Sequence, residues 1–522
     1  MKKIVLLVLV LNFQLSMINS FSQPTIQWER CLGGTNDDEA SSIIQTFDNG
    51  YLVAGFSYSR NGNLDSANFG GAWIVKLNSS GTVIWQKSFG GSLLGDYIQS
   101  IIQTSDSGFI FTGNTEDNIN GFHGVIDAWV VKLNDTGGIQ WQKCYGGSQI
   151  DYGNSIIQTS DGGYIFAGET ESNDGDVSGN HGSDYDYWVV KLNDIGTIQW
   201  SRCYGGSSLD DATSIVQTSD GGYIVGGYTD SQDGDVTGYL GPNSEEWIVK
   251  LDNIGNIQWE KCFGGNAGGT AAYSILQTSD GGYITAGNAN GNGGIVSGNH
   301  GGNDFWVVKF TDTGGLQWEK CYGGGNEDVA FSIVKTIDGK YAIGGYSVST
   351  NGEVTGNHGD NDFWVVKIDT NGALLWEQSY GGILDEQAYS IINTFDNGFA
   401  ITGISTQNSD EVTGYHGGVA DFWVVKLAPD STVGINVLQN EEGFRVYPNP
   451  VSKTLTIRNY ELGIRNGELA IMDVLGREVY HSQFSTLNSQ LYTIDVSGFS
   501  NGVYFYQITN SKETYRGKFV KD

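Results

Sequence analysis

The 14 tryptophans fall into two interleaved series of seven, and their spacing restricts the fold more than any other feature of the chain. Trp28, Trp85, Trp141, Trp200, Trp259, Trp318 and Trp376 sit in a Gln-Trp-like step; Trp73, Trp129, Trp188, Trp247, Trp306, Trp364 and Trp423 each open a Trp-[Val/Ile]-Val-Lys step. A unit of 56 to 59 residues thus recurs seven times and uses every tryptophan. Self-similarity at a fixed period marks a repeat architecture, in which each unit is one supersecondary element.

Each unit carries four short apolar or alternating runs, as in Ser155–Thr159, Tyr164–Gly168, Tyr187–Leu192 and Ile198–Cys203. Such runs bounded by turn residues read as strands. Asp48, Asp106, Asp161, Asp220, Asp280, Asp338 and Asp396 begin Asp-Gly or Asp-x-Gly turns between the first two runs, where glycine supplies the positive φ of a tight hairpin. Asn193-Asp194-Ile195-Gly196 makes the next hairpin, and no amphipathic helical stretch interrupts the repeats.

Four antiparallel strands in each of seven units predict an all-β, seven-bladed β-propeller, because radial repetition protects sheet edges while blade-to-blade packing buries the aromatics. The chain's phase favours a ring over a linear β-solenoid, whose coils are usually shorter than this period. The first unit begins with its last strand, Ile26–Cys31, and the final one stops at its third, Phe422–Leu427, so pairing of the N- and C-terminal strands closes the ring. Lys191-Leu-Asn-Asp-Ile-Gly-Thr-Ile-Gln-Trp200 resembles the strand junction of quinoprotein-type and other tryptophan-motif propellers. That likeness implies that the Ser-Ile-Ile-Gln-Thr strand lines the axis and the Ile-Gln-Trp strand lies at the rim.

Composition narrows the function. Across 522 residues, 27 Lys plus Arg face 59 Asp plus Glu, a formal charge of −32. That argues against nucleic acid as a partner, since a phosphate backbone calls for clustered cations. Residues 1–22 read as a signal peptide: Lys2 and Lys3, the apolar run Ile4–Leu11, then Ser20-Phe21-Ser22 as a small-x-small cleavage site. The apolar run ends at Asn12, short of the ~20 residues that span a bilayer, so no transmembrane segment is expected in the mature chain. Cys31, Cys144, Cys203, Cys262 and Cys321 occupy one repeat position, held elsewhere by Ser88 and Ser379. Successive units hold them too far apart to bridge, and free thiols packed as small apolar groups are expected.

The composition changes near residue 444. Phe444–Asp522 carries nine Lys plus Arg against seven Asp plus Glu, whereas Gln23–Gly443 carries 16 against 52. Domains are accordingly expected at 23–428 (propeller) and 444–522 (a small immunoglobulin-like β-sandwich), with a linker over 429–443. The tail holds Val446-Tyr-Pro-Asn-Pro450, Asp473-Val-Leu-Gly-Arg-Glu-Val479, Val496-Ser-Gly-Phe-Ser-Asn-Gly-Val-Tyr504 and Gly517-Lys-Phe-Val-Lys521 in that order. These motifs resemble the C-terminal sorting domain of the type IX (Por) secretion system of Bacteroidota. The resemblance implies that residues 444–522 engage the type IX machinery, that the tail is removed, and that the protein is released or attached at the outer-membrane surface.

In an up-and-down blade the loops after strands two and four share one face. Five of the six histidines lie in the loop after strand two: His123, His181, His300, His358 and His416. Leu240 takes the place in one blade, and the Phe69 region lacks it. An acid stands two places before the following Trp, at Asp127, Asp186, Glu245, Asp304, Asp362 and Asp421. Repetition on this scale predicts turn capping first, with ligand binding by the histidines as the sharper reading. In the same loop Asp174 with Asp176, and Asp233 with Asp235, place oxygen donors two apart as calcium loops do, although the twelve-residue EF-hand pattern is missing. A second acidic group follows the Gly-Gly step in six of the units and includes Asp151, Asp211 and Asp328, predicted at the channel mouth as binding residues or as a solvated acidic rim.

Catalysis calls for singular rather than sevenfold residues. There is no Gly-x-Ser-x-Gly, His-Glu-x-x-His or Cys-x-x-Cys motif, and Glu169 and Glu171 come nearest to unique carboxylates. The expected function is binding or adhesion at the cell surface, to a glycan, protein or surface component, through the long-loop face and without catalysis. The alternatives are a polysaccharide-active hydrolase or lyase and a calcium-stabilised structural component.

Overall fold

The computed structural model describes residues 23–64, 71–90, 95–265 and 268–430, and in the tail 444–447, 451, 453–459, 465–473, 477–486, 491–500, 502–509 and 514–521. The expected signal peptide, most of the linker and the Phe69 region lie outside these residues. Every regular element described is a strand, and two compact units divide the chain, Phe21–Ser431 and the tail from Thr432.

The larger unit is a set of seven four-stranded antiparallel sheets. Asp38–Gln45, Tyr51–Ser57, Gly71–Leu77 and Val83–Phe89 make one; the same order repeats to Leu374–Tyr380. In the seventh, Glu386–Asn393, Phe399–Ser405 and Asp421–Leu427 are completed by Ile26–Leu32 from the start of the chain, with Cys31 opposite Trp423. The architecture is all-β and propeller-like.

Middle strands are buried on both faces, which is why Tyr-Ile-Phe-Ala and Trp-Val-Val read as nearly continuous apolar runs rather than alternating ones. The Trp73 series is 0% exposed throughout and fills the space between neighbouring sheets. The Trp28 series lies at the rim, where six of the seven rings reach the C-terminal hairpin of the next sheet: Trp28 lies against Gly81, Trp85 against Gly137 and Trp141 against Gly196. Trp376 has no such hairpin ahead of it, because the last sheet is made from the two chain ends. There Trp376 Nε1 donates to Asp430 Oδ2 at 3.2 Å, and Tyr380 Oη donates to Pro24 O at 2.6 Å.

Two hydrogen-bonded steps link first strands around the molecule. Ser42 Oγ accepts from Ile101 N, Ser100 from Ile156, Ser155 from Ile215, Ser214 from Ile275 and Ser274 from Ile333, at 3.3–3.4 Å. In five of the seven sheets a Gln at the strand end caps the turn of the preceding sheet, as Gln158 Oε1 does for Ser105 N at 2.8 Å. The seventh sheet meets the first in the same manner, through Ile43 N to Ser390 Oγ (3.5 Å) and Phe395 N to Gln45 Oε1 (2.6 Å).

The five cysteines are free, four buried and Cys262 partly so. In the tail, the sheet Phe444–Tyr447, Thr454–Asn459, Leu491–Asp495 and the sheet Glu478–Thr486, Arg465–Asp473, Gly502–Thr509, Thr514–Lys521 share one core that includes Leu455, Ile494, Ile471, Tyr504 and Phe519.

Candidate functional site

The position before the recurring serine of each first strand does not repeat. Immediately before the recurring Ser stand Ser41, Gln99, Asn154, Thr213, Tyr273, Phe331 and Tyr389, seven residues in seven sheets with only Tyr used twice. In six of the sheets the strand register slips at this place, as between Ala212 and Ser214 or Ala388 and Ser390. In the third sheet Asn154 N bonds to Ala167 O while Ser155 also faces Ala167. A β-bulge adds an unpaired residue and re-aims its side chain. All seven bulge residues line a single cavity of about 460 Å³, to which every sheet contributes.

The lining is uneven. Tyr273, Phe331 and Tyr389 form an aromatic wall, with ring centroids 5.0 Å and 5.2 Å apart along the series. Phe56 and Tyr97 make a second aromatic pair at 4.6 Å, and Tyr97 Oη meets Tyr58 Oη. Between them stand the polar groups of Asn154, Thr213, Ser41 and Gln99. Among the lining residues only Glu39 is ionisable as an acid in the ordinary range, and burial together with the charge of Asp37 pushes it up to about 7. Beside this cavity Asn154 Nδ2 donates to Asp211 Oδ1 at 3.1 Å. Burial raises both Asp211 and Glu169, and Asp211's charge raises Glu169 further. Glu169 is therefore a half-buried partner of Asp211 rather than an exposed strand end.

The acids and histidines singled out by repetition go elsewhere. Asp151 and Asp328 are 0% exposed and so form no solvated rim. Asp151 accepts from Gly147 N (2.7 Å), Ser172 Oγ (2.9 Å) and Thr170 Oγ1; Asp328 does the same with Gly324 N, Ser349 Oγ and Ser347 Oγ. These carboxylates tie each Gly-Gly loop to the end of the second strand. Each histidine meets the acid of its own loop: Nδ1 lies 3.1 Å from Asp127 for His123, 2.6 Å from Asp186 for His181, 2.6 Å from Asp304 for His300, 2.7 Å from Asp362 for His358 and 2.6 Å from Asp421 for His416. The same oxygen accepts the histidine backbone N–H, and where Leu240 replaces histidine, Glu245 still accepts that N–H at 2.8 Å. The five histidines are thus spread over five loops and close those loops.

The paired loop acids do not converge either. Asp174 Oδ1 accepts from Ser148 N at 2.6 Å and Asp233 Oδ1 from Ser207 N at 2.7 Å, each capping the neighbouring Gly-Gly loop. Asp176 N and Asp235 N donate to Gly146 O and Gly205 O, and Asp235 faces His181 Nε2 at 3.6 Å. Among the described residues no three His, Cys, Asp or Glu side chains gather as a metal-binding group.

Residues 445–522 match the family model described as a secretion system C-terminal sorting domain. The chain ends in a type IX secretion sorting domain. The protein is accordingly exported, and is secreted or attached at the cell surface. The sorting-domain motifs supply core: Val496, Tyr504 and Phe519 are buried, and the Tyr504 and Phe519 rings stack 5.5 Å apart. Residues 448–450 and 474–476, which fall within two of the motifs, lie outside the described residues.

Among solved structures, the chain is similar to puromycin hydrolase (11% identity, TM-score 0.45, covering 81% of this chain and 59% of that one). It is also similar to Sqt1 from Chaetomium thermophilum (11%, 0.39, 77% and 100%). A short part resembles a duf3244 family protein with an immunoglobulin-like β-sandwich fold from Bacteroides vulgatus (24%, 0.14, 16% and 86%). No curated protein matches the chain.

Proposed function

We propose that residues 23–428 form one closed seven-bladed propeller, delivered to the cell surface by the sorting domain at 444–522, and that its axial cavity binds an uncharged glycan. The observation that carries this reading is the coincidence of variability with the bulges. Residues that hold the repeats together recur in sheet after sheet, while the side chains turned into the cavity differ from sheet to sheet, as a site for one asymmetric ligand requires. Aromatic faces opposite amides and hydroxyls suit a sugar, whose C–H face packs on a ring while its hydroxyls take hydrogen bonds. The bonds from Ile43 and Phe395 to Ser390 and Gln45 support closure of the ring.

The test is a glycan array probed with the full chain, followed by titration of the hits. Tyr389→Ala and Phe331→Ala are expected to weaken binding by roughly tenfold each, about 1.4 kcal/mol, with the thermal melt showing that the fold persists. Retention of full affinity in both variants removes the axial cavity as the site.

A second reading, a polysaccharide-active hydrolase, has one specific observation in its favour: Glu169 and Asp211, two carboxylates on neighbouring sheets that burial raises, with the charge of Asp211 raising Glu169 further, are the kind of pair that divides into acid and base. Release of reducing ends from a polysaccharide, abolished by Glu169→Gln, is its test.

A further inference from the structure

Where the fourth sheet meets the fifth, three positions that are ionisable in other sheets carry neutral residues, although Glu245 and Glu246 remain buried in the fourth sheet. Thr270 stands where other sheets carry a buried acid, Leu240 where five loops carry histidine, and Asn290 where Glu116, Glu171 and Asp230 stand in earlier sheets. A groove of about 500 Å³ opens at this junction, within the range of small-molecule sites. Its lining includes Asn243, Asn288, Asn290 and Asn303 together with Tyr228 and Tyr273, and contains no charged residue. On a chain with a formal charge of −32, a neutral amide-lined groove is an exception that calls for a cause.

Tyr273 lines both this groove and the axial cavity, so the two adjoin at one aromatic ring. The lining is also short of partners. Asn288 Nδ2 donates to Asn303 Oδ1 at 3.0 Å, which leaves Asn288 Oδ1 buried and accepting nothing. A buried amide oxygen without a donor is destabilising, and a ligand hydroxyl is a group that would satisfy it. Asn243 and Asn290 are exposed beside it. A side-chain amide both donates and accepts, so a row of them matches neighbouring hydroxyls and has no preference for either charge.

Resting on the reading of the axial cavity as a glycan site, we infer that this groove is its extension: a subsite row for further residues of an uncharged oligosaccharide, which leaves the axis past Tyr273 and runs between the fourth and fifth sheets. The protein therefore reads a chain of several sugars and not a terminal sugar alone.

The experiment is calorimetric titration of the full chain with neutral oligosaccharide ladders (gluco-, xylo-, manno- and N-acetylglucosamine-based), from monosaccharide to octasaccharide. Affinity is expected to climb with length and then level off. Asn290→Trp, which fills the groove, and the double variant Asn243→Ala with Asn290→Ala are each expected to cut the ratio of hexasaccharide to monosaccharide affinity by about tenfold. Tyr389→Ala is expected to weaken every member of the ladder. Binding that does not grow with length, or a length dependence that survives both groove variants, overturns the groove and leaves the axial site standing. Failure of every ladder to bind the unmodified chain removes both readings. Thermal melts of the two exposed-residue variants confirm that a lost length dependence is not lost folding.

Discussion

Lys191 Nζ lies 2.9 Å from Asp161 Oδ2, a contact between a buried lysine of the third strand and the turn aspartate that opens the second. The same pair recurs as Lys76–Asp48, Lys132–Asp106, Lys250–Asp220, Lys309–Asp280, Lys367–Asp338 and Lys426–Asp396. The lysine also donates to the carbonyl after it, Leu192 O, at 3.1 Å, while Asp161 Oδ1 accepts from Thr159 Oγ1 and Gly163 N. Burial alone would raise Asp161, but Thr159, Lys191 and Gly163 together hold it down at about 2.

The two halves of this pair are unequal, and that makes a prediction. Asp161 is more than half exposed whereas Lys191 is 4% exposed. Asp161→Ala leaves a buried ammonium without its counter-charge; Lys191→Met leaves a carboxylate that water can reach. Urea unfolding is expected to show Asp161→Ala costing about 2–3 kcal/mol and Lys191→Met about 1 kcal/mol or less. Equal costs would mean that the pair acts through the turn alone.

Stability should peak in mildly acidic solution. Asp186 and Asp210, from neighbouring sheets, crowd the same glycine, Gly205; Asp421 with Asp38 and Asp362 with Glu386 do so at Gly33 and Gly381. Asp186 Oδ1, Asp362 Oδ1 and Asp421 Oδ1 are buried with no donor. Burial pushes Asp186 up to about 6, and burial with the charge of Asp186 pushes Asp210 up to about 7; burial likewise lifts Glu386 to about 7. Between the unfolded carboxylate range near pH ~4 and these values the native chain binds more protons than the unfolded one, so stability falls as pH rises through that window. His181, which burial would lower, is raised by Asp186 and acts in the same direction. Below pH ~4 the turn aspartates, held down at about 2 in Asp161 and Asp220, reverse the slope. Thermal melts should therefore give the highest Tm near pH ~4. Asp186→Asn supplies an amide donor to Asp210 and should flatten the alkaline limb; an unchanged limb would show that the pair shares no proton.

Gly196 and Gly162 separate backbone strain from rim packing. Both have positive φ, +73° and +84°. A Cβ on Gly196 would come within 2.8 Å of Trp141 Cζ3 and 3.0 Å of Tyr145 Oη, whereas one on Gly162 meets nothing within 4 Å. Gly162→Ala should cost about 1 kcal/mol and Gly196→Ala about 2–4 kcal/mol in the same denaturation assay. The difference measures how tightly the rim tryptophan seats on the next sheet.

The thiols should be silent in the native protein. Cys203 and Cys144 are buried, and burial followed by nearby carboxylates raises both thiols far above the usual cysteine range. A disulfide reagent at pH ~8 should find no fast-reacting thiol until denaturant is added. Rapid labelling of the folded chain would contradict the packing around the rim strands.

The strand count per unit, the Asp-Gly hairpins and the shared phase of the chain ends were legible because they rest on local chemistry repeated seven times. The sorting domain was legible for a related reason: its motif residues Val496, Tyr504 and Phe519 are its core. The same repetition made the acids and histidines look like a site. Asp151 closes a loop through Gly147, Ser172 and Thr170, and His181 closes one through Asp186; bonds of this kind are needed wherever the loop recurs.

What the sequence determined by itself is therefore the scaffold: alternation, turn residues and the tryptophan period are encoded in neighbouring positions, and each copy confirms the others. The cavity was decided by tertiary structure alone. Ser41, Gln99, Asn154, Thr213, Tyr273, Phe331 and Tyr389 lie across the whole of the repeat region and differ in type apart from the two tyrosines, so only comparison at one fixed repeat position could have flagged them. They meet because a bulge in each first strand breaks the period-two alternation and turns one extra side chain into the cavity, and a bulge is a property of how two strands pair.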